Sequence, residues 1–236
     1  MKCKLCNDSK DFGKSHIIPK SFFTPLRQEN KAPLLLTDTK GEFPQKRPAG
    51  EYDSEILCKE CEKTFDAWDS YGKILLIDQF ESFERIENGN GDFFYKAVKY
   101  DYKKIKLFLV SILWRASVSK RKFYERVTLG PYEAIAKKMI LKNDPMEPTV
   151  FPAVFAKYEH PLAGGMLEPC KIKMEGVNYY QLNLLDYSVH IKVDKRNGPV
   201  ALQNLAIKPE GPLYIVGRDF TESKDFEIMH KIANKN

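Results

Sequence analysis

The chain has 236 residues, 43% apolar and 12% aromatic, with a formal net charge of +6. That balance excludes a disordered chain and leaves room for one large domain or two small ones. No apolar run approaches the ~18–20 residues that span a bilayer, and the N-terminus has no signal-type apolar stretch, so the sequence reads as a soluble cytoplasmic protein with reduced cysteines.

The first feature along the chain is Cys3-Lys4-Leu5-Cys6, answered by Cys58-Lys59-Glu60-Cys61. Two intervening residues let both thiolates of a pair reach one tetrahedral ion. In a reducing compartment such pairs point to metal rather than to disulfides. Cys3, Cys6, Cys58 and Cys61 therefore read as one structural Zn2+ site that organises residues 1–76. The 52 positions from Cys6 to Cys58 require a sizeable element between the pairs. Cys170 stands apart as a structural thiol. Residues 27–53 carry Pro33, Gly41, Pro44, Pro48 and Gly50, and read as an extended loop or an irregular hairpin.

The second cysteine pair opens a helix. Phe65, Trp68, Gly72 and Leu75 form its inward stripe. Glu62, Asp66 and Asp69 fall on a different stripe, where like charges repel. A bound cation or an adjacent basic group would relieve that repulsion. Acids near a helix N-terminus are also favourable in their own right.

Residues 77–145 read as a basic helical region. Ile105, Leu109, Ile112, Leu113 and Ala116 have helical spacing within 103–119, and Pro131 opens a second helix that stops at Asn143-Asp144-Pro145. Between residues 95 and 142 there are thirteen Lys and Arg against three acids. Such a concentration suits a phosphate backbone, with a solvated helical face as the plainer reading. The residues assigned to nucleic acid are Lys103, Lys104, Lys106, Arg115, Lys120, Arg121 and Lys122. Trp114 beside Arg115 is either a stacking platform for a base or a core residue.

Residues 146–236 read as a mainly antiparallel β region. Strands are expected at 178–185, 187–193, 200–207 and 212–216, with a turn at 196–198 and a closing helix at 224–233. His190 falls on the polar face of its strand and is expected to be exposed. His160 lies in a loop and His230 in the terminal segment, and all three read as structural.

Ser15-His16-Ile17-Ile18-Pro19 sits between the cysteine pairs. With Cys3/Cys6 and Cys58/Cys61 this constellation resembles the HNH endonucleases of the treble-clef, or ββα-metal, type. The resemblance covers residues 3 to about 73. More narrowly, Lys14 to Pro19 together with Leu57-Cys58-Lys59-Glu60-Cys61-Glu62 is similar to a group of uncharacterised bacterial HNH-like proteins. The resemblance implies a zinc-stapled treble-clef module at the N-terminus; with the helical middle and the C-terminal antiparallel sheet read from the sequence pattern, the expected fold is α+β. It implies hydrolysis of nucleic-acid phosphodiesters, DNA before RNA, in a phage-defence or mobile-element setting.

In that family the motif histidine activates water, which assigns the general base to His16. Three positions depart from the family pattern. Ser15 stands where the acidic metal ligand is usual, Asp53 where an Asn often lies, and Glu62 where His or Asn is common. Glu62 and Asp66 are therefore the candidate carboxylates for a second ion, and hard oxygen ligands favour Mg2+ or Mn2+ there. Two alternatives use the same residues differently. One is a non-catalytic zinc module that binds nucleic acid or a protein partner. The other is a small-molecule sensor, which a pocket lined by aromatic residues between 151 and 187 would favour.

Overall fold

The computed structural model describes residues 1–9, 11–27, 32–159 and 165–234. Its order begins with the short strands β1 (Ser15–His16), β2 (Leu34–Leu36), β3 (Gln45–Lys46) and β4 (Tyr52–Asp53). Helix α1 (Lys59–Glu62) leads through one 3-10 turn into α2 (Asp66–Lys73). Strands β5 (Glu84–Glu87) and β6 (Phe93–Ala97) precede α3 (Tyr102–Val118) and α4 (Tyr132–Lys142). Five strands follow: β7 (Ala153–Tyr158), β8 (Gly165–Leu167), β9 (Cys170–Met174), β10 (Val177–Leu184) and β11 (Tyr187–Lys192). Then come α5 (Val200–Leu205), β12 (Leu213–Arg218) and α6 (Lys224–Ala233). No helix among the described residues is long and apolar enough to cross a membrane.

Helix α3 is the hub. Asp101 caps it by accepting from Lys104 N–H (2.9 Å). Its middle turns, Ile105 to Ala116, are buried on every side, as expected for a helix enclosed by other elements. Phe22 of the N-terminal module stacks on Phe108 at 5.5 Å. Gly72 of α2 allows the same ring to come close, since a Cβ there would lie 2.7 Å from it. Tyr187 of β11 donates to Leu76 C=O (2.7 Å), which ties the sheet to the chain following α2. One hydrophobic cluster runs from Cys3 to Ile215 through these contacts. Helix α4 ends as its sequence suggests: Asn143 is left-handed at φ 48°, and Asp144 N–H closes on Met139 C=O (3.0 Å).

The main sheet has seven strands in the order β5-β6-β12-β7-β11-β10-β9. It is mixed rather than antiparallel, because β12 runs parallel to β7. The late strand β12 is inserted between β6, which precedes α3, and β7, which follows α4. A smaller sheet, β3-β2-β8, pairs β2 in parallel with β8. Several expectations need correction here. The middle region is not all helix, because the hairpin β5–β6 lies within it. The expected strand at 200–207 is the helix α5, whose chain enters from Pro199 and closes a turn with Gln203 N–H on Pro199 C=O (3.0 Å). His190 is not exposed. Its neighbour across the strand pair, Gln181, donates to Asp225 of α6 (2.9 Å), so this helix covers part of the polar face. Burial, with Arg218 adding to it, lowers the His190 pKa to about 4. His160 lies outside the described residues.

Candidate metal centre and histidine site

The first cysteine pair sits on a tight turn. Cys3 N–H donates to Asp8 C=O and Asn7 N–H to Cys3 C=O, both at 2.9 Å, with Asn7 left-handed at φ 66°. Lys4 N–H on Ile56 C=O (2.8 Å) pins this turn beside the second pair. Cys58 is extended and caps α1, which places Cys61 on the first helical turn. The four Sγ atoms lie within 4.8 Å of one another. Cys6 and Cys58 Sγ are 3.9 Å apart. A disulfide would need about 2.05 Å, whereas the edge of a Zn–S4 tetrahedron with ~2.3 Å bonds is ~3.8 Å.

The thiol electrostatics agree with that geometry. Burial works to raise the Cys3 thiol, yet N–H donors of Cys6, Cys58 and Leu5 outweigh it and bring it to about 7. Burial and the neighbouring thiols push Cys61 upward instead. Negative charge cannot build up on all four sulfurs unless a cation shares the site. The cluster fits a structural zinc.

His16 is held at the edge between β1 and the helices. It pairs with Tyr52 of β4, and the two rings are 5.9 Å apart. The position is fixed by Arg115 of α3, whose Nη1 donates to His16 C=O (2.8 Å). The same guanidinium grips Asp69 of α2 with two bonds of 2.9 and 2.8 Å and lies 4.7 Å from the Phe65 ring centroid. Arg115 is thus the basic group that relieves the acidic stripe. Burial lowers the His16 pKa, with Arg115 and Lys20 adding to the fall and Asp69 opposing it. The imidazole is therefore neutral at pH 7.

Glu62 sits behind the cysteine pair. Burial raises its pKa, opposed by Ser15 and Arg115 and reinforced by Asp69 and Asp66. Glu62 Oε2 and Ser15 Oγ are both buried with no hydrogen bond of ordinary geometry among the described residues, yet Ser15 stands close enough to pull the Glu62 carboxyl down. Asp66 is exposed one turn on. His16, Glu62 and Asp66 are not drawn together as a ligand group: among the described residues the cysteines form the one close set of three or more ligating side chains. Asp53 is consumed structurally, accepting from Ser119 Oγ (2.9 Å) and Lys120 N–H (3.1 Å) beyond the end of α3.

Two of the seven basic residues assigned to nucleic acid are internal. Lys106 is fully buried and donates to Phe151 C=O (2.7 Å), and burial lowers its pKa to about 7. Arg115 is fully buried on Asp69, and Trp114 beside it is equally enclosed, so neither meets a base. The reason is the enclosure of α3 beyond its first turn, which leaves these two side chains internal acceptors only. Lys103, Lys104, Lys120 and Lys122 are exposed and Arg121 is half-buried. Lys104 pairs with Asp101, Lys120 with Glu55 and Lys122 with Glu42, exposed contacts worth about 0–1 kcal/mol each. The Arg115–Asp69 pair is the feature of the site that the sequence leaves unpaired, for its members are 46 residues apart. In comparisons with known proteins, no family model, no curated protein and no solved structure matches this chain.

Proposed function

We propose that the N-terminal module is a zinc-stapled, metal-dependent nuclease that hydrolyses phosphodiesters, with DNA as the preferred substrate and His16 as general base. The observation that carries this reading is the buried oxygen of Glu62, which lacks a hydrogen bond of ordinary geometry and lies next to Ser15, the residue before His16. A buried carboxylate oxygen without a partner is costly and calls for a proton or a cation. Its hard oxygen fits Mg2+ or Mn2+, with water and the substrate phosphate completing the coordination. Such an ion, when bound, supplies charge stabilisation to the phosphate oxygens. His16 takes the proton from the attacking water, whose oxygen forms the new P–O bond as the bridging P–O bond breaks. Arg115 keeps the His16 backbone in register and offsets the charge of Asp69.

His16→Ala is expected to lose about 10²–10⁴-fold in cleavage rate, with zinc content and DNA binding unchanged. The assay is plasmid DNA or RNA with Mn2+, Mg2+ or a chelator. A variant that cuts at the wild-type rate would overturn the assignment. Because the neutral imidazole is the active form and its pKa is lowered, wild-type activity should persist below pH ~6.5, the ordinary histidine midpoint.

A second reading is a non-catalytic zinc module that binds nucleic acid. It is favoured by the cysteines being the one close ligand set among the described residues. Under either reading the exposed Lys103, Lys104, Lys120 and Lys122 are the phosphate-contact candidates. Their joint replacement by Gln should flatten the log–log salt dependence of duplex binding by roughly 0.9 per lost phosphate contact. An unchanged slope would make this surface a bystander.

A further inference from the structure

A cavity of about 620 Å³ opens between α4, the loop at 148–152, one face of the main sheet and α5. Its walls are mainly apolar: Tyr132 and Ile135 from α4, Phe151 from the loop, Val154 and Tyr179 from the sheet, and Leu202 from α5. That size lies within the roughly 300–1,000 Å³ of small-molecule sites. The aromatic lining from Phe151 and Tyr179 is the kind a sensor pocket would show.

The walls are preformed. Phe151 is left-handed at φ 48°, a strained conformation that persists only where its surroundings enforce it. Lys106 of α3 enforces it by donating to the Phe151 carbonyl (2.7 Å). On the opposite side Gly198 leaves room for the Tyr179 hydroxyl, which would lie 2.1 Å from a Cβ at that position.

The charged side chains lining the cavity are three lysines and one acid. Lys192 lies in the floor, only 8% exposed, with Nζ donating to Arg196 C=O (2.6 Å). An ammonium has three donors, so two are left beyond the bond to Arg196. Lys195 and Lys208 also line it. Asp194, the acid in the lining, is ion-paired with Arg196 and also acts on Lys192. Its oxygens accept from Arg196 Nε (2.9 Å) and Nη2 (2.6 Å), and from the Asn178 side chain (2.9 Å).

We propose that this cavity binds an apolar organic acid, with the carboxylate on Lys192 and the body between Tyr132, Phe151 and Leu202. The ligand is an effector rather than a nuclease substrate, and this inference does not rest on the nuclease reading. The test uses the full chain and the fluorescent amphipathic anion anilinonaphthalene sulfonate as reporter, with decanoate, decanol and decyltrimethylammonium as competitors. One reporter should bind per chain, and decanoate should displace it roughly ten-fold better than decanol, the scale of one charge-assisted contact. Decyltrimethylammonium should not compete. Lys192→Met should erase the preference for decanoate over decanol. Leu202→Trp fills the cavity and should weaken every ligand by at least about ten-fold, with Ile135→Trp as a second filling variant and near-UV circular dichroism as the check on folding. Equal competition by decanol and decanoate in the wild type would overturn the proposal. So would wild-type binding in both folded filling variants.

Discussion

Replacing Cys58 by Ser is expected to unfold the N-terminal module and to loosen the central helix with it. Structural zinc sites contribute on the order of 10–16 kcal/mol in small peptides at neutral pH, against a net stability of about 5–15 kcal/mol for a whole domain. Cys58 is buried and belongs to both the metal cluster and the start of α1. Its loss removes a ligand and the link that sets α1 beside β1. The damage should travel, because Phe22 and Gly72 both pack on Phe108 of α3. Purified wild type should contain one zinc per chain, and a chelator should lower its melting temperature reversibly until zinc is restored. A metal-free protein with unchanged far-UV circular dichroism and melting temperature would remove the basis for the site.

The second large effect concerns Lys106 and has an unusual sign. The ordinary lysine pKa of 10.5 is lowered by burial to about 7. Between those values the unfolded chain holds a proton that the folded chain has released, so this site loses stability as pH falls from about 10.5 to 7. The cost approached at the acid end is on the order of 4 kcal/mol. Lys106→Met keeps the length and removes the charge. The variant should be more stable than wild type at pH 7, and the gain should shrink as pH rises. Only near pH 11.5, about one unit above the ordinary lysine pKa, is the amine neutral in both states of the wild type. There the variant lacks the hydrogen bond to Phe151 and should be the weaker by about 1 kcal/mol. Paired urea denaturation at the two pH values decides it, and a pH-independent difference would show that the amine is not desolvated.

Local chemistry was legible in the sequence, and distant partnership was not. The Cys-x-x-Cys spacing identifies ligands because both members of each pair lie within one turn of chain. Apolar spacing places α3 and α4 closely, with a stop signal for α4 at Asn143-Asp144-Pro145, and the terminal segment 224–233 is helical as expected. The hairpin β5–β6 does have a turn signal, Asn88-Gly89-Asn90-Gly91, but the lysine-rich helical pattern that follows masks it. The short run at 200–207 lacks the length to separate helix from strand. Charge counts misplace Lys106 and Arg115, because composition cannot say which face of a helix is enclosed. His190 shows the same gap in a strand: alternation identifies its face, while the cover over that face comes from α6, more than thirty residues later.

The position of β12 has a consequence for synthesis. A ribosome delivers β5 and β6 early, then β7 to β11, and only afterwards residues 213–218, which join the two groups. Until then β6 and β7 each present an unpaired backbone edge, the feature through which chains stick to one another. The nascent protein is therefore most vulnerable just before its last strand emerges. A chain stopped short of residue 213 would lack its central seam, and would be a substrate for chaperones and proteases rather than a smaller working protein.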